Sequence, residues 1–120
     1  MRGLVIVATL ATGLVLAGQA AAGRVPRFPA IPGAWSHAEL NVKIGRTPHT
    51  LVLDRGRIVQ LGTTELRLSE RDGTEAVIPV TPQTKVVLGR RKASLAALRL
   101  RMTVETMRID GGPAVRIRIG

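Results

Sequence analysis

Arginine is the residue whose type and spacing point most clearly to chemistry in this sequence. The chain has 18 basic and 8 acidic side chains, and its formal net charge is +10. Arg99 and Arg101 alternate along one segment, and Arg116 and Arg118 alternate along another. Because alternate residues of a β-strand share a face, these side chains and Arg108 could form one stripe. Guanidinium groups bind phosphate and carboxylate groups bidentately, so the stripe is the predicted anion-binding surface.

A solvated exterior is the alternative interpretation of the same arginines. The outside of a small β-domain must be polar, and arginine satisfies that need without any ligand. Four acidic residues could also neutralise part of the stripe: Glu65, Glu70, Glu75 and Glu105. The sequence leaves both interpretations open.

The two large aromatic residues, Phe28 and Trp35, form a second candidate site. Both lie in a proline-rich arm, residues 23–36, which the prolines exclude from helices and central strands. Trp35 could pin this arm onto the core of the domain. Alternatively, Trp35 or Phe28 could stack on a sugar or a base.

Signatures of catalysis, of a cofactor and of a metal site are missing from the sequence. The absence of cysteine excludes disulfides and thiol nucleophiles. The two histidines are too few and too far apart in sequence to indicate a zinc cluster. Ser36 and His37 are adjacent, so on a strand their side chains would point to opposite faces. We therefore expect no catalytic residues, no cofactor and no metal ligands.

The first 22 residues have the pattern of a secretory signal peptide. Arg2 precedes an uncharged apolar run over residues 4–17, and three small residues follow at Ala20, Ala21 and Ala22. The apolar run is shorter than the roughly 20 residues that a membrane-spanning helix needs. The sequence thus predicts cleavage after Ala22 and a secreted, periplasmic or envelope location. The mature chain would then have no transmembrane segment.

Residues 37–120 show the two-residue alternation of a β-domain. The segments AELNVKI, TELRLSE and PAVRIRIG alternate apolar and polar side chains. Asp72-Gly73 indicates a tight hairpin turn, and Gly56 indicates a bend in a long strand over residues 51–61. One short helical turn is expected at residues 93–98. The pattern predicts an all-β fold, a small OB-like barrel of five to six strands.

Residues 54–120 contain elements that match a known pattern. These are Gly56-Arg57-Ile58-Val59, LRLSERDGTEAVIPV, Thr84 before a short strand, Leu95 and Leu98 before Met102 and Val104, and Ala114 with Ile117. In this order they resemble the small secreted bacterial domains grouped as domain of unknown function 5666. That family places glycine before its penultimate strand, where this chain has Arg101. The resemblance implies a compact β-barrel without catalytic residues.

Export narrows the range of expected partners. Anionic envelope polymers and lipid head groups lie outside the cell, where a basic surface could meet them. Nucleic acid is disfavoured because aromatic residues do not alternate with the basic ones. The sequence therefore favours a non-enzymatic module with a basic face. The alternative is an OB-type domain that binds oligosaccharide or nucleic acid by aromatic stacking.

Overall fold

Nine β-strands and one 3-10 turn form the regular structure of residues 5–9 and 25–120, the part of the chain that the computed structural model describes. The strands are β1 Val5–Thr9, β2 His37–Ile44, β3 Thr47–Leu61, β4 Glu65–Glu70, β5 Glu75–Pro79, β6 Lys85–Leu88, β7 Arg91–Ala93, β8 Thr103–Ile109 and β9 Ala114–Ile119. The 3-10 turn is Leu95–Ala97. Within the described ranges, no helix has the length and apolarity needed to cross a membrane.

The strands form one mixed sheet around β3. Along the sheet the order is β1-β2-β3-β8-β9-β6-β7, and β4 pairs with both β3 and β5. The β1–β2 and β6–β9 pairs are parallel, and the other pairs are antiparallel. The two-residue turn at Gly45 and Arg46 sets the β2–β3 register, because Ile44 pairs with Thr47.

The 15-residue length of β3 lets two strands follow one another along one of its edges. Strand β2 pairs with residues 47–54 of β3, and β4 pairs with residues 56–61 of β3. A Cβ at Gly56 would lie 2.7 Å from the carbonyl oxygen of Ser69, closer than side-chain carbons approach. Glycine at this position therefore permits β4 to approach β3.

Each face of the sheet has its own buried core, because period-two alternation places apolar residues on both sides of β3 and β8. The first core contains Ile58, Leu66, Leu68, Ile78, Val80, Val86, Leu98, Val104, Ala114 and Ile117. The second core contains Trp35, Ala38, Leu40, Val42, Leu51, Leu53 and Met107. Phe28 and Ile31 of the arm pack against the second core, so the arm covers that face.

The prediction of an all-β fold is confirmed, and so are the Asp72-Gly73 turn and the short helical turn before β8. The sheet is not closed into the expected barrel. No ladder joins β5 to β6 or β7 within the described residues. Pro79 lacks a backbone donor at the end of β5, and β7 is only three residues long, so neither offers a ladder long enough for closure.

Strand β1 falls inside the predicted signal peptide. Val5–Thr9 pairs with His37–Asn41 at the edge of β2. Residues 1–4 and 10–24 lie outside the described residues, and with them the predicted cleavage position after Ala22. The signal peptide remains a prediction from the sequence.

Candidate functional site

Basic side chains gather on the face of the sheet that contains the second core. The ladders place Arg55 of β3 opposite Glu105 of β8, and Glu105 opposite Arg118 of β9. Because partners in a ladder share a face, β3, β6, β7, β8 and β9 place six basic residues and one carboxylate on this side of the sheet, and β4 and β5 add Arg67, Glu65 and Glu75. We call the part formed by β3 and β6 to β9 the basic face; its cations are Arg55, Arg57, Lys85, Lys92, Arg116 and Arg118.

A cleft of about 570 Å³ opens on the basic face where β4 meets β3. Three arginines line this basic cleft, Arg55, Arg57 and Arg71. Ser69 and Thr103 add hydroxyl groups, and Glu70 also borders it. Arg55 lies 3.7 Å from Glu105. Arg57 and Arg71 are exposed, and neither has an ion pair with a described residue. The cleft therefore presents two arginines that are available to an anion.

Arg116 and Arg118 share a face, as predicted, but both hold other parts of the chain. Arg116 donates to the carbonyl oxygens of Pro26 and Val25 at 3.1 and 3.2 Å. Burial, with the charge of Arg27, lowers the pKa of Arg116. Arg118 pairs with Glu105 and stacks over the ring of Phe28, 4.7 Å from its centroid. These two arginines fasten the arm to the sheet.

The structure does not bring the other three predicted arginines into the stripe. β8 begins only at Thr103, so Arg99 and Arg101 precede it and strand alternation does not orient them. Arg99 instead donates to the carbonyl oxygens of Ala96 and Leu98. Arg108 lies on the opposite face, where its guanidinium is 3.9 Å from Asp54. Of the five predicted arginines, only Arg116 and Arg118 therefore share a face, because β8 begins after Arg99 and Arg101, and Arg108 lies on the other side of the sheet.

Arg101 has a backbone φ of 73°, in the left-handed region that favours glycine. Its N–H donates to the carbonyl oxygen of Ile58 at 2.8 Å, and Met102 accepts from the N–H of Ile58. This is the position at which the resembled family has glycine. Arg101 therefore adopts the backbone conformation that favours glycine, although it is not a glycine.

The side chains of the two predicted stacking residues, Phe28 and Trp35, point from the arm onto the sheet. Trp35 is 4% exposed and belongs to the second core, in agreement with a pinning role. Phe28 is half-buried, and Arg118 covers one face of its ring. The described arm therefore uses both aromatic side chains for its own packing.

An acidic cavity of about 360 Å³ lies on the opposite face, beside the same junction of β2, β3 and β4. His37 begins β2, Asp54 faces it across the ladder, and Glu70 ends β4. The Nδ1 atom of His37 is 2.7 Å from Oδ1 of Asp54, and its Nε2 atom is 2.9 Å from Oε2 of Glu39. One donor atom from each of His37, Asp54 and Glu70 lies within 4.8 Å of the other two.

Burial and charge perturb the titration of this cluster. Burial, followed by the neighbouring Asp54 carboxylate, raises the pKa of Glu70 to about 9. Burial would lower the pKa of His37, but hydrogen bonds to Glu39 and Asp54 outweigh it and leave the pKa raised. Perturbed groups that converge on a cavity indicate a functional site.

No local sequence pattern predicts this cluster, because its residues come from three strands. One of its pairings was predictable, because a two-residue hairpin turn at Gly45-Arg46 fixes the β2–β3 register and so places His37 opposite Asp54. The position of Glu70 depends on a register shift between Ile58 and Gln60 that no local pattern signals.

Comparisons with protein-family models, with curated proteins and with solved structures found no match to this chain.

Proposed function

We propose that the mature chain is an exported, non-enzymatic β-sheet module that binds anionic polymers of the cell envelope at the basic cleft. The observation that most supports this function is the pair Arg57 and Arg71. Both guanidinium groups line the cleft, and neither forms an ion pair with a described residue. Arginine forks of this kind suit phosphate and carboxylate groups.

The shape of the surface favours a polymer over a small anion. Arg55 lines both the basic cleft and an adjoining hollow of about 350 Å³, which Arg118 and the arm also line. A chain with repeated negative charges could contact Arg57 and Arg71 and continue past Arg55 along the basic face. Each contact would release counterions, so the affinity should fall as salt rises.

Aromatic stacking has less support as the binding mode. Trp35 is 4% exposed and packs in the second core. Stacking would need an open ring face; Trp35 borders the basic cleft and the adjoining hollow, but only 4% of its surface is exposed.

The binding test uses heparin and phosphatidylglycerol vesicles as anionic probes. The variant Arg57→Ala/Arg71→Ala should lose about tenfold or more in affinity, since ~1.4 kcal/mol corresponds to tenfold and charge-assisted bonds reach that size. Its salt slope should fall by about one for each arginine. The matched control is Arg90→Ala/Arg91→Ala, which removes two exposed charges in the β6–β7 hairpin. Equal losses in both variants would contradict a site at the cleft, as would no binding by the wild type.

Export has its own test. Mass spectrometry of the exported protein should show an amino terminus at Gly23. Cleavage there would remove β1 and leave β2 as an edge of the sheet. A mature product that retains residues 1–22 would contradict the signal peptide.

A further inference from the structure

We propose that the acidic cavity binds a divalent transition-metal ion through His37, Asp54 and Glu70. The three residues belong to β2, β3 and β4, and their donor atoms lie within 4.8 Å of one another. One imidazole and two carboxylates form a mixed nitrogen and oxygen donor set. Such a set suits zinc, cobalt or manganese better than calcium, which takes six to eight oxygen ligands.

Two buried oxygens in the cavity accept no hydrogen bond from a donor among the described residues. Asp54 is 3% exposed and Glu70 is 7% exposed; Oε2 of Glu70 has no donor, and Oδ2 of Asp54 has only the guanidinium of Arg108, 3.9 Å away. A buried polar atom without a hydrogen-bond donor destabilises the folded state, and more so when it is charged. A cation between the two carboxyl groups would satisfy both oxygens.

The hydrogen bonds of His37 already have the arrangement of a metal-binding imidazole. Metal-binding histidines usually donate their second N–H to a carboxylate, which orients the ring. Here Nε2 bonds to Glu39, while Nδ1 faces Asp54. A metal ion would replace the proton between Nδ1 and Asp54. Their 2.7 Å separation would then open to roughly 3.3 Å, as bonds of about 2.0 Å at a tetrahedral angle require.

Local charge also favours a cation, although the whole chain is basic. Half of the eight acidic residues lie in or beside the cavity: Glu39, Asp54, Glu70 and Asp72. Arg108 supplies the nearest opposing charge, 3.9 Å from Asp54. A bound ion would link the end of β4 to the start of β2. Because it binds the folded state, it should also stabilise the fold.

The two histidines permit a test on the unmodified protein. Zn²⁺, and then paramagnetic Co²⁺, would be added while the ring signals of His37 and His49 are followed by NMR. His49 is the internal control, because it also pairs with an aspartate, Asp110, but in an exposed position. The His37 signals should shift with Zn²⁺ and broaden with Co²⁺, while those of His49 stay in place. Unchanged His37 signals, or a response of His49 alone, would overturn the proposal.

Thermal unfolding with Zn²⁺ provides a second readout. Zn²⁺ should raise the Tm of the wild type and of His49→Gln, and this rise should be lost in His37→Gln and Glu70→Gln. Glutamine in place of Glu70 keeps the side-chain shape, so that variant should fold. An equal rise in Glu70→Gln and the wild type would overturn the site, and a larger response to Ca²⁺ would overturn the metal class. Failure here leaves the proposed polymer binding intact, because Arg57 and Arg71 are not ligands of the ion.

Discussion

The basic cleft and the acidic cavity lie on opposite faces of β3, at the same junction with β4. They differ in how the chain assembles them. Arg55 and Arg57 of the cleft are two residues apart, so alternation along one strand places them together. His37, Asp54 and Glu70 of the cavity come from three strands and meet only through strand register. A local pattern therefore indicates a shared face, whereas long-range pairing decides which groups meet.

The two regions also differ in what their charges do. Arg116 and Arg118 stand out in the sequence, yet they fasten the arm through Val25, Pro26 and Phe28. The acids are dispersed in the sequence, yet four of them gather at one cavity. The density of charge along a sequence is thus a poor guide to which charges remain available to a ligand.

Of the substitutions considered, truncation of Trp35 should reduce stability most, and it should affect the basic face more than the opposite face. Trp35→Ala should lower the free energy of unfolding by about 3–5 kcal/mol, because it removes a fully packed aromatic side chain. Urea unfolding measures the loss. Below the unfolding transition, hydrogen exchange should speed up in residues 25–35 and around the second core, while the first core stays protected. A loss under about 1 kcal/mol would contradict the role of Trp35 as the anchor of the arm.

Gly56 tests the junction that both regions share. Gly56→Ala should cost about 1–3 kcal/mol, because the new Cβ would overlap the backbone of Ser69. Calorimetry or urea unfolding would measure it. Gly112→Ala is the control, since its Cβ would come no closer than 3.3 Å to another atom. If both variants lose the same stability, the close approach of β4 is not what requires glycine.

The hydrogen bonds from Arg116 test whether the arm is fastened on the basic side. Arg116→Ala should cost about 1–2 kcal/mol, because it removes two charge-assisted bonds to carbonyl oxygens. Limited proteolysis within residues 25–35 should also become faster. Arg90→Ala, at an exposed position, should change stability by less than about 0.5 kcal/mol. Unchanged proteolysis in Arg116→Ala would show that the aromatic residues hold the arm alone.

Alternation predicted much of the fold, because a strand with one buried face must repeat every two residues. It placed Ile117 in the core and predicted a strand at residues 38–44 and a long strand that includes residues 51–61. It did not predict that the sheet stays open, because closure depends on ladders between distant strands. It also predicted that β8 begins as early as Arg99, because residues 98–102 (LRLRM) alternate. In the structure these residues form a turn, and β8 begins at Thr103.

The candidate sites were less predictable than the fold. The shared face of Arg116 and Arg118 followed from their spacing, and pinning by Trp35 followed from its place in the arm. The positions of Arg57 and Arg71 around one cleft depend on the pairing of β3 with β4. The convergence of His37, Asp54 and Glu70 depends on two registers at once.

Substitution of Arg101 should have the smallest effect on stability, and it should stabilise the protein where the other substitutions destabilise it. Arg101→Gly should raise stability by about 0.5–1 kcal/mol, because glycine adopts positive φ without the cost that a Cβ adds. Asp110 also has positive φ, but its carboxylate accepts from the N–H of Thr50 and bonds His49. Asp110→Gly should therefore be destabilising. A destabilised Arg101→Gly, measured by urea unfolding, would mean that the arginine side chain contributes contacts of its own.

NMR of the arginine Nε–Hε groups during a heparin titration tests the central claim most directly, because it observes each guanidinium in the unmodified protein. If the basic cleft is the binding site, the signals of Arg57 and Arg71 should shift first and saturate together, and added salt should reverse both changes. Shifts confined to Arg90 and Arg91, or spread evenly over all exposed arginines, would contradict a binding site at the basic cleft.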